Sequence, residues 1–598
     1  MTVTAEVPLI GSATALAIVA LLVFVGPTFG ERGGRNTSRL AIVVGSLAVI
    51  VPLIAAIAID PAREAGQALW EWSAAGGPTI QASYRFDGVA AIGVAVGTAY
   101  TVAGLIAAAR ARRRNPLLPS AILAIGLVFI ALAVTEDLVA CIVVLGVMAP
   151  LTVVAALSVA TLPATSRLAA YFAAGIQFFV LAALLVSRYG GGSFRFDAMF
   201  AGALSPGTLL TASIGAALFA GLYPFVPWRF ERALVTTAVG EPIRGIVTMP
   251  AGVAATLVLF RIIGVTRGDV TTIPLPNLPL EWRAAVAIAV LAVLAVATAR
   301  RRSASRRMIV IVGVVLVALA AYPALRWSHI VLAAALVSVL YAATVSLALP
   351  AQWPVVRYDV TLAAAWIGLA LGTPIALAGV LIILATDAAT VLAEAAVRAR
   401  RRTYLVVSAG ATAFVAGLFV IALGALEAGD PGAQVLAIAG IAAIGALTLV
   451  HVGRRLELTT PSLVLDAVAV VAALGSGALL ALALLVPIDR GVTIAGGRPL
   501  GPSLAAASVA LPAVIALAAL LVVAARSTRP FVPDLAPLVA RLRRIVAVAD
   551  PVPAGLAAFA TLDTVASRLA ATFALFEQRG GVWLATVLIV GVLVWSVR

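Results

Sequence analysis

Apolar runs of about twenty residues recur along almost the whole chain, and this pattern allows very few architectures. Of the 598 residues, 63% are hydrophobic and only 11% are charged. About twenty apolar residues in a helix cross the roughly 30 Å hydrocarbon layer of a bilayer. The runs lack the alternation of polar and apolar residues that strands of a membrane barrel carry, so their backbone groups must pair within helices. The sequence therefore predicts an all-α polytopic membrane protein.

The same length rule divides the sequence into about eighteen transmembrane helices. Residues 361–398 are long enough for a single broken helix, but we predict two spans that meet near Gly372 and Pro374. This division keeps the following arginines on the same side as the other arginine clusters. The predicted spans lie near residues 7–29, 39–59, 86–109, 117–134, 137–160, 168–186, 207–228, 243–263, 283–299, 308–325, 328–349, 359–372, 374–396, 404–426, 433–453, 463–487, 501–525 and 580–597.

All 41 basic residues are arginines, and the chain contains no lysine. Roughly three quarters of these arginines fall on one set of alternate loops, and positive charge marks the cytoplasmic side of short loops. The pattern predicts a multi-pass protein of the cell (plasma) membrane with both termini outside the cytoplasm. Because orientation in the membrane explains the net charge of +16, no nucleic-acid partner is predicted. The densest clusters are Arg110, Arg112, Arg113 and Arg114; Arg300, Arg301, Arg302, Arg306 and Arg307; Arg398, Arg400, Arg401 and Arg402; and Arg541, Arg543 and Arg544.

The sequence predicts no cofactor, no metal site and no catalytic site in this chain. Its single cysteine, Cys141, lies inside an apolar run, which excludes a disulfide framework and a cysteine-held cluster. The two histidines, His329 and His451, are far apart in sequence. A Gly-rich phosphate loop followed by a lysine is also absent, so the sequence does not encode a nucleotide-driven pump.

Five local patterns occur in the order in which they occur in one membrane family. Residues 83–88 open the third predicted span, residues 135–157 form the fifth, and residues 169–172 start the sixth. Residues 218–233 form the seventh span and its exit, and the basic stretch 300–307 precedes a new span. With these patterns the chain resembles the antiporter-like (proton-conducting) subunits shared by respiratory complex I, Mrp cation/proton antiporters and membrane-bound hydrogenases.

The resemblance implies a core of two inverted five-helix repeats and, in long members, a lateral helix near the C-terminus. It also implies other integral membrane subunits as partners, with membrane lipids around them. A lateral or amphipathic helix suits the mixed segment 530–579, for which a loop with one short helix is the open alternative. The segments so predicted are 1–115 with three N-terminal helices, 116–265 with the first repeat, 266–426 with the second, 427–529 with additional helices, 530–579 as the amphipathic or lateral segment, and 580–598 with a terminal span.

Three positions that carry charge in this family carry none here. The resemblance places the family's fifth-helix glutamate on Gly146, its seventh-helix lysine on Phe219 and its eighth-helix lysine on Val253. An arginine cannot replace a lysine in a proton relay, because its pKa is too high for it to release a proton. We therefore expect that the first repeat cannot run the family's usual proton transfer.

Acidic residues inside a predicted span are the leading candidates for an ion path, because charge within a membrane is costly and marks function by default. Asp387 lies well inside its span, and Glu394 follows seven residues later on the same helical face. For Glu394, packing against Arg398 or Arg400 near the cytoplasmic end of the span is the open alternative.

Two further pairs of charged residues have structural alternatives that we favour. Glu136 and Asp137 start the fifth span, where they form either a proton port or an acidic pair stabilised by the helix N-terminus. Glu241 and Arg244 precede the eighth span and are spaced to form an ion pair along one helical turn.

We expect a divergent antiporter-like subunit of an ion-translocating or redox-driven complex, similar to an NADH dehydrogenase or a hydrogenase, with lost or altered proton conduction. One alternative is a stand-alone secondary transporter of a cation or organic solute that uses Asp387, Glu394, His451 and Asp466. His451 and Asp466 flank a short loop, where they are either a coupled pair or two interfacial residues. The other alternative is a translocase for lipids or glycan carriers, in which arginines meet anionic headgroups.

Overall fold

Long helices make up most of the described part of the chain. A computed structural model describes residues 6–25, 30–58, 67–73, 79–110, 117–159, 162–189, 193–199, 204–223, 225, 240–264, 326–348, 353–396, 400–457 and 540. The chain divides into a unit of residues 1–548 and a second unit of residues 549–598, and all described residues belong to the first. The described helices are α1 Glu6–Val25, α2 Gly30–Ala58, α3 Gly88–Arg110, α4 Leu117–Val134, α5 Leu138–Leu157, α6 Leu162–Tyr189, α7 Pro206–Ala220, α8 Gly240–Gly264, α9 Trp327–Ala348, α10 Trp353–Leu371, α11 Pro374–Ala396, α12 Arg400–Glu427 and α13 Pro431–Glu457.

The helices confirm the prediction of an all-α multi-pass membrane protein. Within the described residues, eight helices are long and apolar enough to cross a bilayer, and four shorter apolar helices accompany them. The count of eighteen stays a prediction. Predicted elements that lie outside the described residues are the spans near 283–299, 308–325, 463–487, 501–525 and 580–597 and, except for Ala540, the mixed segment 530–579.

Two short strands lie between α2 and α3, in a stretch that the span pattern predicts as a connection between helices. Strand β1 (Gln67–Ser73) pairs antiparallel with β2 (Thr79–Tyr84), and Trp72 lies opposite Ile80 in the register. Bridges continue from this hairpin to the start of α5, because Tyr84 pairs with Thr135. The hairpin therefore braces the ends of the helices rather than spanning the membrane.

Successive helices run in opposite directions, which gives the bundle two membrane faces. Arg261 near the end of α8 contacts Asp87 at the start of α3. Trp327 at the start of α9 donates a hydrogen bond to Ser213 in α7. We call the end of the bundle where α3, α5, α7, α9, α11 and α13 begin the Asp87 face, and the opposite end, where α11 finishes, the Glu394 face.

Two glycines with left-handed backbone conformation end helices. Within the predicted seventh span, 207–228, α7 stops at Ala220 because Gly221 adopts φ 62° and donates its backbone N–H to the carbonyl of Ala217. Gly372, with φ 63°, separates α10 from α11. The predicted division of residues 361–398 into two spans is therefore correct, since the chain reverses direction across Gly372 and Thr373.

Candidate functional site

Four polar side chains from α3, α10 and α11 meet inside the bundle. Nε of Arg357 lies 3.2 Å from Oδ1 of Asp387, and Nη1 of Arg357 donates to Oε1 of Glu394 at 3.1 Å. The hydroxyl of Tyr100 donates to Oδ2 of Asp387 at 2.6 Å. One guanidinium thus bridges two carboxylates, and a phenol holds the deeper one. We call these four residues the Asp387 cluster.

The folding of α10 and α11 explains how the cluster forms. Asp387 and Glu394 are seven residues apart on α11 and so share a helical face. The reversal at Gly372 packs α10 antiparallel to α11, and this brings Arg357, in the first turns of α10, beside both acids. Tyr100 comes from the middle of α3, which packs against α11. The cluster therefore joins the first and second halves of the described chain.

Burial increases from Glu394 to Tyr100. The side chain of Glu394 is 26% exposed and that of Arg357 is 17% exposed, whereas that of Asp387 is only 3% exposed. Tyr100 is fully buried. Asp387 lies about 13 Å along α11 from its last residue, given a rise of 1.5 Å per residue. The cluster therefore extends from the Glu394 face toward the middle of the membrane.

A small cavity lies against the cluster. Its volume is ≈ 40 Å³, and a water molecule needs roughly 10–15 Å³ of such space, so the cavity has room for a few waters. Both carboxylates and the arginine reach it. The cavity is lined by Trp353, Arg357, Val360, Asp387, Thr390, Glu394, Gly410, Ala411, Phe414 and Thr448.

The charges of the Asp387 cluster do not cancel when both acids are ionised. Arg357 keeps its charge at all relevant pH values, because a guanidinium does not deprotonate in proteins. Two carboxylates around one guanidinium leave a single excess negative charge. When the cluster accepts one proton from water in the cavity it becomes neutral, and when it releases that proton it returns to a single negative charge.

His451 lies behind the cavity rather than in the cluster. Its ring stacks on Trp353 with 4.1 Å between centroids and 11° between planes, and the residue is 3% exposed. Trp353 lines the cavity together with Arg357, whereas His451 is not part of the lining. Asp466, the other residue of that predicted pair, lies outside the described residues.

The three positions onto which the resemblance places the family's charges carry no charge in this chain. Phe219 is fully buried and stacks on Phe172, with 4.6 Å between ring centroids. Val253 is also fully buried. A side chain at Gly146 would meet open space, while its neighbour Leu145 is buried. None of these three positions therefore holds a titratable group.

Glu136 and Asp137 lie in a polar network at the Asp87 face. Asp137 caps α5, since its Oδ1 accepts hydrogen bonds from the backbone N–H groups of Val139 and Ala140. Glu136 is 1% exposed and lies 3.4 Å from both Arg85 and Arg195. Burial raises the pKa of Glu136, and the arginines oppose this only in part.

The third predicted pair is only partly described. Glu241 and Arg244 lie in the first turns of α8, and their side chains are outside the described part of the structure. Within the described ranges, His, Cys, Asp and Glu side chains form no group of three that could hold a metal ion. The Asp387 cluster is therefore the candidate site that the described residues bring together.

Sequence reasoning found the acids of the cluster but missed Arg357 and Tyr100. Arg357 precedes the predicted start of its span at residue 359, so its charge was counted with the loops. Tyr100 lies in a strongly apolar run, where an aromatic residue predicts packing. Asp359, a buried acid that is 3% exposed, was also missed. The sequence does carry one indication of Arg357, because this arginine lies close to Asp359 at the start of the same apolar run.

Comparison with solved structures identifies the fold. A chain of respiratory complex I from Thermus thermophilus with bound NADH matches with a TM-score of 0.50 and 16% identity, over 85% of this chain and 99% of that one. A chain of the Mrp complex from Dietzia sp. DQ12-45-1b matches with a TM-score of 0.55 and 15% identity, over 91% of this chain and 60% of that one. No protein-family model and no curated protein sequence matches the chain. The predicted antiporter-like membrane fold is confirmed.

Proposed function

We propose that this protein is an integral membrane subunit of an ion-translocating or redox-driven complex, and that the Asp387 cluster is its proton-exchange centre. The observation that carries the proposal is the pair of acids, Asp387 and Glu394, held by one fixed guanidinium inside a membrane bundle. Charged groups at this depth are costly and persist in transporters at ion pathways. The fold shared with chains of complex I and of the Mrp complex supports the role as a subunit among other membrane subunits.

The cluster favours a proton over an alkali cation. Arg357 already occupies the space between the two acids, so a sodium ion in the cavity would lie beside a permanent positive charge. A proton needs no such space because it binds to a carboxylate oxygen directly. The hydrogen bond from Tyr100 stabilises the ionised form of Asp387, which allows that acid to release its proton again.

The first repeat has a different role in this proposal. Phe219 and Val253 are packed and cannot titrate, so they support a sealing function for the residues around them. Proton movement through the chain is then confined to the second half and to Tyr100 on α3. This altered route distinguishes the protein from a subunit in which both repeats conduct.

The decisive experiment measures proton flux after reconstitution. The protein is purified in mild detergent with its co-migrating subunits, placed in liposomes that hold a pH-sensitive dye, and exposed to a pH gradient. We expect Asp387→Asn to reduce the flux to the level of protein-free liposomes, because an amide cannot carry a proton between water and the cluster. Asp197→Asn is the matched control, since Asp197 lies on the loop at the Asp87 face and is 33% exposed.

Two outcomes would contradict the proposal. A flux that is unchanged in Asp387→Asn would remove the cluster from the mechanism. A protein that purifies as a single species and conducts without other subunits would contradict the assignment as a subunit and favour a stand-alone transporter. We also propose that the protein lies in the cell membrane with both termini outside the cytoplasm. A cysteine introduced at either terminus of the protein, and labelled from outside intact cells, tests this orientation.

A further inference from the structure

A second, larger cavity lies at the Asp87 face, far from the Asp387 cluster. Its volume is ≈ 630 Å³, which falls within the range of pockets that bury whole small-molecule ligands. Its walls come from the first turns of α1 and α5, the last turn of α4 and strand β2. The residues that define it best are Ile10, Ser83, Val134, Thr135, Val139 and Val143.

The cavity is open on the side that faces lipid. Ile10 is 63% exposed and Val143 is 62% exposed, and both are apolar. Beyond the opening, the exposed residues Ala131, Leu127 and Ser120 of α4 form one stripe. From Ala131 to Ser120 this stripe runs about 16 Å, given 1.5 Å per residue, which is roughly half of the 30 Å hydrocarbon layer.

The closed end of the cavity carries one polar group whose hydrogen-bonding capacity is not met. Ser83 is 3% exposed, and its Oγ makes no hydrogen bond to any described residue. The neighbouring hydroxyl of Thr135 is already engaged, because it donates to the carbonyl of Ala131. A buried hydroxyl without an acceptor is unfavourable, so Ser83 would gain from an acceptor that enters the cavity.

From these features we infer that the cavity binds a membrane glycerophospholipid from the leaflet at the Asp87 face. One acyl chain would fill the apolar cavity and continue along the exposed stripe of α4, whose length is about that of a single leaflet. An ester carbonyl of the lipid would accept the hydrogen bond from Ser83. Water-soluble ligands are disfavoured, because the remaining walls offer them almost no polar partners.

Because of the surrounding charges, the lipid headgroup should contribute little to binding at this cavity. Among the described residues, Arg85 and Arg195 lie at this end; each is 3.4 Å from Glu136, and Arg195 also pairs with Asp197 at 2.8 Å. Their charges are therefore already balanced by acids. We expect phosphatidylglycerol and phosphatidylethanolamine to bind about equally well, whereas binding should depend on acyl chain and ester.

Photolabelling in nanodiscs tests the inference. The protein is placed in nanodiscs of phosphatidylethanolamine that contain a small fraction of the same lipid with a diazirine near the middle of one chain. We expect labelled peptides from α1, α4 and α5. Val143→Trp should abolish this labelling by filling the open side, and Ser83→Ala should lower it about fivefold through loss of one hydrogen bond. Leu184→Trp, on the lipid-facing side of α6 with 61% exposure, is the control.

Other occupants give distinct results. If the Val143→Trp and Leu184→Trp variants are labelled to the same extent, the cavity does not bind a lipid acyl chain selectively, and the inference fails. To detect a protein occupant, Val143→p-benzoylphenylalanine is irradiated in the complete complex. A crosslink to lipid supports the inference, and a crosslink to another subunit or to residues 549–598 overturns it. None of these results depends on proton flux, so the lipid site and the proposed transport role can fail separately.

Discussion

Arg261 binds Asp87 through two parallel contacts, with Nη1 3.0 Å from Oδ2 and Nη2 3.2 Å from Oδ1. The same guanidinium also donates to the carbonyl of Ala133 at 2.9 Å. The pair joins the end of α8 to the start of α3, and α4 is attached through Ala133. Three helices of the first half are thus fixed together at the Asp87 face by one arginine that is almost fully buried.

Asp87→Asn should destabilise the protein by about 3 kcal/mol, because removal of one partner leaves a buried charge without compensation. Asparagine keeps the cap on α3, so the change tests the ion pair rather than the cap. Thermal unfolding followed by tryptophan fluorescence measures the loss. Asp197→Asn, at a pair that is about one third exposed, should cost less than about 1 kcal/mol. Equal effects of the two changes would contradict a structural role for the buried pair.

Tyr100→Phe should lower proton flux about tenfold, since a hydrogen bond to a charged group contributes about 1.5 kcal/mol. The ring stays in place and only the donor to Asp387 is lost. Flux in proteoliposomes and melting temperature are measured together, so that a loss of folding is recognised. Tyr223→Phe is the control, because it also removes a phenolic hydroxyl, but at a position beyond the end of α7. Should both variants conduct like the wild type, Tyr100 has no part in proton exchange.

Phe219→Ala should cost about 3–5 kcal/mol of stability, which is the usual cost of removing a buried phenyl ring. The ring is fully buried and packs between Phe172 and Phe179. Because the proposed route avoids this repeat, flux per folded protein should not change. Phe178→Ala, on the partly exposed side of α6, should be milder. A selective loss of flux with normal stability would indicate that the first repeat conducts.

Asp430 predicts a pH dependence of stability in the acid range. The side-chain hydrogen bond from His329, with Nε2 2.6 Å from Oδ2, is the main reason that the pKa of Asp430 lies below its ordinary value, and backbone N–H groups of Ala433 and Gly432 assist. A depressed pKa stabilises the folded state above the ordinary value near pH 4, and this contribution is lost as the pH falls through the folded value.

Asp430→Asn should therefore melt with a shallower pH dependence than the wild type below about pH 4. The difference should be under about 1 kcal/mol, because the Asp430 side chain is 28% exposed and solvent partly screens the pair. Melting curves from pH 6 to about 3 measure it. His329→Gln should produce a similar change, since it removes the main partner. If both variants keep the wild-type slope, the contact between α9 and the turn before α13 does not stabilise the fold.

Sequence reasoning recovered the features that depend on one helix at a time. Apolar length predicted the membrane helices, and the seven-residue spacing predicted that Asp387 and Glu394 share a face. The helix break near Gly372 was also predictable, because it restored the alternation of the arginines. Each of these patterns is written in a short, continuous stretch of sequence.

Features that depend on packing between helices were not predictable. Nothing in the sequence links Tyr100 to Asp387 across 287 positions, and that contact exists only because α3 packs against α11. Likewise, Glu394 binds Arg357 on α10, a partner that the sequence does not indicate, while the alternative partners Arg398 and Arg400 have side chains outside the described residues. Apolar helices pack in many ways with similar patterns, so the choice of neighbour needs the tertiary structure.

The abrupt reversal at Gly372 and Thr373 also determines how this protein can change over time. With so short a connection, α10 and α11 have a fixed rotational phase, and one inserted or deleted residue would turn Arg357 by about 100° away from the acids it bridges. Point substitutions can therefore alter the chemistry of the cluster gradually, but changes in length at the turn would dismantle it in one step. We expect this stretch to tolerate new side chains far better than new spacing.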